Sequence, residues 1–315
     1  MEKYFLFQGM RSVIQELRDN GQWGTAHVYN SSCNAFALFR NGEDIAFEEI
    51  TPALLKQFEI FLRQKQCSWN TVATYMKVLK AVYNRAVDKG QTPYVHNLFK
   101  NVRVRACVGN KKAIEAVEMQ RVLQDAEYVL TQEKPSVPDR TKACFALMFL
   151  LRGIPFVDLV YLRKTDLRGN TLSYRRKKTG RPLSVTLLPE AVALIKVMCR
   201  NNDESVYLLP FLHSPEGTET AYREYQRALR NFNRRLAAWG DTLSLTLSTY
   251  VARHTWATMA YYCEIHPGII SEAMGHSSIA ITETYLRPFR NDRIDKANRQ
   301  VVEFVKCNGA HTPPE

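Results

Sequence analysis

The chain has 315 residues, with 43 Lys and Arg against 31 Asp and Glu, a net charge of +12 and 45% hydrophobic residues. This length predicts about two domains with real cores, and the charge favours a polyanionic partner such as nucleic acid. The apolar run 143–151 is too short to cross a bilayer, no signal peptide is found, and the cysteines show neither metal nor disulfide spacing. These absences predict a cytoplasmic protein without a structural metal.

Residues 1–107 are predicted to form a helical domain. Thr51 and Pro52 suit an N-cap and a first helical position, and a second helix is predicted from Ser68 to Gly90. Lys77 and Lys80 lie away from its apolar face, where they either remain solvated or contact DNA phosphates.

A basic stretch with poor periodicity separates this region from the rest of the chain. It contains Arg103 and Arg105, for which we predict contacts to a nucleic-acid backbone, together with Lys100, Gly109, Lys111 and Lys112. We therefore place a linker here and a second domain at 108–315.

The second domain is predicted to be mainly α with a small β-sheet. Strands are expected at 171–177 and 182–187, joined by a short turn. Helices are expected at 115–130, 139–152, 156–163, 189–200, 216–238, 248–264, 267–275, 279–286 and 291–306.

The long helix 216–238 carries a stripe of arginines on one face. Their spacing of four, three and four, with no acid expected between them, would make them repel one another unless phosphates bind. The alternative is a solvated face. The stripe consists of Arg223, Arg227, Arg230 and Arg234.

A tyrosine follows an arginine and two histidines in fixed order near the end of the chain: Arg253, His254, His276 and Tyr285. A phenol has a reference pKa of about 10, so it attacks well only where cations and hydrogen-bond donors stabilise the charge. Such a set suits attack on a phosphodiester, which is anionic throughout the reaction.

The same residues resemble motifs of the tyrosine recombinase (phage integrase) family. Arg253–Thr258 is similar to the family's R-H-T-x-A-T box, Met274–Ser278 to its L-G-H-S box, and Arg175–Gly180 to its lysine-bearing β-turn. Tyr285 follows His276 by nine residues, as the family nucleophile does. The resemblance implies a SAM-like core-binding domain at 1–107 and a mixed α+β catalytic domain with a C-terminal tail at 108–315.

This resemblance also implies roles for the matched residues. Tyr285 would form a 3′-phosphotyrosine, Arg253 would stabilise the non-bridging oxygens, and His254 and His276 would donate hydrogen bonds or move protons. Lys178 would protonate the leaving 5′ oxygen, with Lys177 a close second. The implied protein is a homotetramer on two double-stranded DNA sites that needs no cofactor, membrane or small-molecule substrate.

Two positions depart from the family pattern. Tyr250 stands where a histidine is usual, and it retains one hydrogen-bond donor. Asp158 matches the acid of the R-x-x-E/D pattern, but Pro155 occupies the arginine position. We predict that Arg152, about one turn earlier, supplies this arginine, and that Asp158 pairs with an arginine. The string 152–158 resembles the R-G-M-x-F-x-D variant of Bacteroidetes recombinases.

Alternatives remain open at this level. The departures would also fit a DNA-binding protein with impaired catalysis, and a type IB topoisomerase-like enzyme shares the phosphotyrosine step. Inversion, integration and excision are not separated, although the early start of the core-binding region favours a simple invertase or resolvase. Apolar residues after the tyrosine would pack either within the chain or on a neighbour: Ile294, Ala297, Val301, Val302 and Phe304.

Overall fold

The computed structural model describes residues 3–105, 112–199, 202, 204–286, 288–289 and 291–308, so the predictions for Gly109 and Lys111 fall outside the described residues. The chain separates into two compact units, Met1–Gly109 with Ser214–Arg223, and Asn110–His213 with Glu224–Glu315. The prediction of a mainly α fold with a small sheet is confirmed. Over the described ranges, no helix combines the length and apolarity that a membrane span requires.

The first unit is helical around an aromatic core. The Thr51 hydroxyl accepts a hydrogen bond from the Leu54 amide at 3.2 Å, and the Ser68 hydroxyl caps the next helix through Thr71. The ring of Phe36 packs edge-on against neighbouring aromatic rings. The helices are α1 (Leu6–Asp19), α2 (Trp23–Phe39), α3 (Pro52–Gln64) and α4 (Trp69–Asp88).

The second unit combines a small antiparallel sheet with helices. The sheet has the order β1 (Leu167–Arg168), β2 (Thr171–Arg175) and β3 (Pro182–Thr186). Helix α9 begins in residues grouped with the first unit and continues in the second. The helices in chain order are α5 (Ala116–Leu130), α6 (Val137–Leu150), α7 (Phe156–Val160), α8 (Pro189–Met198), α9 (Glu219–Leu243), α10 (Thr249–Tyr262), α11 (Pro267–Ala273), α12 (Ile279–Glu283) and α13 (Asn291–Asn308).

Helix α10 and strand β2 of this unit direct arginine side chains towards its interior. Helix α6 is buried over most of its length and packs against α5, α8 and α10. The inner face of α10 buries Val251, Ala252 and Arg253. Along β2, Leu172 and Tyr174 point inward with the period of two expected of a strand, and this direction continues at Arg176, just past the strand end.

Candidate active site

Arg253 lies at the centre of the candidate site and is buried, with only 4% of its surface exposed. Its guanidinium donates to the carbonyl oxygens of Gly153 at 2.7 Å and Met274 at 2.8 Å, and to His276 Nε2 at 2.8 Å. Gly153 has a φ of 67°, and a Cβ there would lie 2.9 Å from Arg253 Cα. The backbone at Gly153 therefore approaches the arginine more closely than any other residue would permit.

The contacts of His276 define its tautomer. A guanidinium only donates, so Nε2 accepts from Arg253, and Nδ1 carries the proton towards Thr282 Oγ1 at 2.8 Å. Burial first, and then the surrounding positive charges, lower the pKa of His276 to about 3. The imidazole is therefore neutral at physiological pH, and both of its nitrogens are engaged. The cations that lower its pKa are Arg253, Arg176, Arg181 and Lys178.

The Tyr285 ring lies against both imidazoles of the site. Its centroid is 4.5 Å from that of His254 and 5.0 Å from that of His276, and the Arg253 Cζ atom is 5.6 Å from it. The Tyr285 carbonyl accepts a hydrogen bond from the Thr258 hydroxyl at 3.3 Å. One chain thus brings the tyrosine, both histidines and the arginine together.

A second buried guanidinium, which was not predicted from the sequence, belongs to Arg176. Its Nε lies 2.6 Å from the Asp158 carboxylate, and its Nη1 donates to the Met274 and Gly275 carbonyls. Asp158 also accepts from the Lys177 amide at 2.8 Å. Burial raises the pKa of Asp158, whereas Arg176 lowers it. Burial and the charge of Arg176 both lower the pKa of Arg253, so the two guanidiniums are electrostatic neighbours.

The β2–β3 turn contacts the loop that carries His276. Arg181 Nη1 donates to the His276 carbonyl, and Gly275 has a φ of 66°, where a Cβ would lie 2.9 Å from Leu183. The two candidate lysines of this turn, Lys177 and Lys178, have different surroundings. Both lysines are exposed, but the Lys177 ammonium lies 4.5 Å from the Tyr161 ring centroid, whereas the charge of Lys178 acts on His276.

Two predicted residues lie outside this group of contacts. The Arg152 guanidinium donates to the Ser184 carbonyl on β3 at 3.2 Å, on a backbone with a φ of 59°. Tyr250 is 58% exposed on α10, and its ring centroid is 6.2 Å from that of His254.

The predicted DNA-binding cations are exposed in both units. Lys77 and Lys80 extend from α4. Glu219, one turn before the arginine stripe, forms an ion pair with Arg223, the first arginine of the stripe, at 2.7 Å. The other cations of the set, none of them buried, are Arg103, Arg105, Arg227, Arg230 and Arg234.

Comparison with known families identifies two matching models. The phage integrase SAM-like domain model matches residues 5–103, and the phage integrase family model matches residues 112–291. A curated relative, tyrosine recombinase XerA of Saccharolobus solfataricus, is 21% identical over 206 residues, or 64% of this chain. The match spans 60% of the length of that relative.

Solved structures of integrases share the fold. The Tn1549 transposon integrase in complex with transposon right end DNA aligns with a TM-score of 0.67 and 13% identity, over 95% of this chain and 100% of that one. A lambda integrase tetramer bound to a Holliday junction aligns with a TM-score of 0.64 and 15% identity, over 91% and 78%. At these identities the likeness shows the fold.

Proposed function

Because the chain belongs to the phage integrase family, we propose that it is a site-specific recombinase that cuts and rejoins double-stranded DNA through a phosphotyrosine at Tyr285. The observation that carries this proposal is the position of the Tyr285 ring, which lies against both imidazoles and against the buried Arg253 guanidinium. A phenol is a useful nucleophile only where such groups stabilise negative charge.

Buried charge in the site supports a phosphodiester as the substrate. Arg253 and Arg176 place two guanidiniums in the interior, and Asp158 supplies one carboxyl group against them. An unpaired buried charge is costly, so a phosphate anion entering between the arginines and Tyr285 would offset that cost. Planar guanidiniums also match the geometry of phosphate oxygens.

The proposed step forms a bond between Tyr285 Oη and phosphorus while the bond from phosphorus to the 5′ oxygen breaks. His254 takes the phenol proton, since its ring is the nearer of the two imidazoles to the Tyr285 ring and Nε2 of His276 already accepts from Arg253. Lys178 gives a proton to the departing oxygen, because Lys177 is held over Tyr161. The new phosphodiester to tyrosine keeps the energy of the broken one, so rejoining requires no nucleotide cofactor.

Arg176, in place of Arg152, is the residue that we assign as the second phosphate-binding arginine. Arg176 is buried beside Arg253 and pairs with Asp158, the carboxylate predicted to hold this arginine. Arg152 instead bonds to β3 at Ser184. Its role in this proposal is to fix the turn that presents the Gly153 carbonyl to Arg253.

His276 is assigned as a positioning residue. Its Nε2 accepts from Arg253, which fixes the plane of that guanidinium, and its Nδ1–H bonds to Thr282 on the helix just before Tyr285. The pair therefore connects the orientation of the arginine to the segment that carries the nucleophile.

We propose assembly of a homotetramer on two DNA sites in the bacterial nucleoid. The apolar side chains of α13 are exposed, with Phe304 at 69% and Val301 at 62%, which supports docking on a neighbouring subunit. Aligned structures of lambda integrase contain a dimer bound to a core site and a tetramer bound to a Holliday junction. Cations on the surface of α4 and α9, including Lys77 and Arg230, supply phosphate contacts.

Long-read sequencing of cells expressing the protein tests this function. Inverted or excised alleles bounded by short repeats next to the encoding locus are expected, and a strain carrying Tyr285→Phe should contain none. Supercoil relaxation of any plasmid, without defined junctions, would instead indicate a topoisomerase. DNA binding with no rearrangement and no covalent adduct would indicate a protein that has lost catalysis.

A further inference from the structure

Two arginines of the first unit lie against one tryptophan. Trp69 is the first residue of α4 and is 39% exposed. The Arg63 Cζ atom is 4.6 Å from the centroid of its ring, and the Arg103 Cζ atom is 4.9 Å from it. Arg63 comes from the end of α3 and Arg103 from the segment after α4, so three parts of the chain converge here.

Hydrogen bonds that involve backbone groups hold both arginines in place, with their guanidiniums against the Trp69 ring. Arg63 Nη1 donates to the Cys67 carbonyl. The backbone amide of Arg103 donates to Glu59 Oε2 at 2.8 Å, and the other oxygen of this buried carboxylate pairs with Lys56. Glu59 therefore anchors the segment that carries Arg103.

The cluster concentrates positive charge on an exposed edge. Because both Cζ atoms lie within 5 Å of one centroid, they are less than about 10 Å apart, within one Debye length at 0.1 M salt. Among residues 3–105, no carboxylate forms an ion pair with either guanidinium. Lys65 adds a third cation, with its ammonium 5.6 Å from the Phe61 ring centroid.

We propose that Trp69 is the platform of a phosphate clamp, on which Arg63 and Arg103 are pre-oriented to bind the sugar–phosphate backbone of DNA. Each strand carries one charge per about 3.4 Å of helix axis, so two guanidiniums at this spacing suit phosphates a few nucleotides apart. Cation–π contact restricts the long side chains before binding, which lowers the entropy lost on binding. This clamp rests on the proposed action on DNA, and extends it to residues for which the sequence indicated no role, Arg63 and Trp69.

The salt dependence of DNA affinity tests the clamp. Arg63→Gln and Arg103→Gln should each reduce the slope of log K against log salt by about 1, equally on cognate and unrelated duplexes. Trp69→Ala should weaken binding without changing the net charge, and Trp69→Phe should recover part of the loss. Arg85→Gln removes an arginine that is already paired with Glu16 and serves as the matched control.

Unchanged slopes for Arg63→Gln and Arg103→Gln would overturn the clamp, even if Trp69→Ala fails to fold. A loss confined to the cognate duplex would also overturn it, because it would indicate base readout instead of backbone binding. Covalent adduct formation by the unmodified protein is measured separately. The clamp can therefore fail while the proposed function stands.

Discussion

Replacing Arg176 with methionine separates a catalytic role of this residue from a structural one. The Asp158 side chain is fully buried and that of Arg176 is 8% exposed, so Arg176→Met leaves a buried carboxyl group without its partner. Removing one member of a buried pair costs about 3–5 kcal/mol. For a unit of this size that corresponds to a fall in Tm of roughly 6–20 °C.

The double variant Asp158→Asn, Arg176→Met restores most of this stability, because the ion pair is removed as a unit, no carboxylate is left buried without its partner, and the new carboxamide keeps an oxygen for the Lys177 amide. Its cleavage rate should nevertheless remain about 10²–10³-fold below wild type, the cost of removing one group that stabilises transition-state charge. The assay is single-turnover formation of the protein–DNA adduct on a nicked suicide duplex, beside thermal unfolding. Cleavage by the double variant within a few-fold of wild type would refute a role for Arg176 at the phosphate. Arg152→Met is the comparison variant and should cleave faster than the double variant, because Arg152 acts only through the turn at Gly153.

Other expectations follow from the contacts around His276. Thr282→Val should lower the cleavage rate and change its pH profile, because Nδ1–H of His276 loses its acceptor and the ring is held less firmly, and Thr282→Ser should restore both. Gly153→Ala should reduce cleavage and Tm together, since the new Cβ meets Arg253 Cα at 2.9 Å. The pKa of His276, about 3, lies below the unfolded reference of about 6.5. The unfolded chain therefore binds the proton first, and the free energy of unfolding falls as pH decreases from about 6.5 towards 3, by at most ~1.4 kcal/mol per pH unit. In acid unfolding titrations this slope should be absent from His276→Gln, and an unchanged slope would contradict the assigned cause. Lys178→Ala should be rescued by a good 5′ leaving group, whereas Lys177→Ala should need no rescue.

The motif residues of the site were predictable because they lie on consecutive local elements. Arg253 and His254 are neighbours on α10, and His276 and Tyr285 flank the single short helix α12. The spacing in the sequence therefore fixes much of their geometry. The helices capped by Thr51 and Ser68 were predictable for the same reason, since a cap is a local signal.

Arg176 was missed because its partner is distant in the chain. The family pattern directs attention to an arginine on the same turn as Asp158, whereas the structure supplies one from just past the end of β2. A usable signal was present: Leu172, Tyr174 and Arg176 share one face at a period of two. An arginine that continues the inward face of a strand requires a buried acid, and Asp158 was the candidate. The ion pair between Glu219 and Arg223 was also not predicted, although it is a local i, i+4 contact that the sequence spacing would have allowed.

Peptide mapping of the covalent adduct tests the central claim most directly. Wild-type protein trapped on a labelled suicide duplex should yield one phosphotyrosyl peptide, with DNA joined through its 3′ phosphate to Tyr285. Tyr285→Phe should yield none, whereas Tyr250→Phe, a tyrosine near His254 but outside the contacts of the site, should still form the adduct. An adduct that persists in Tyr285→Phe, or that maps to another residue, would contradict the account.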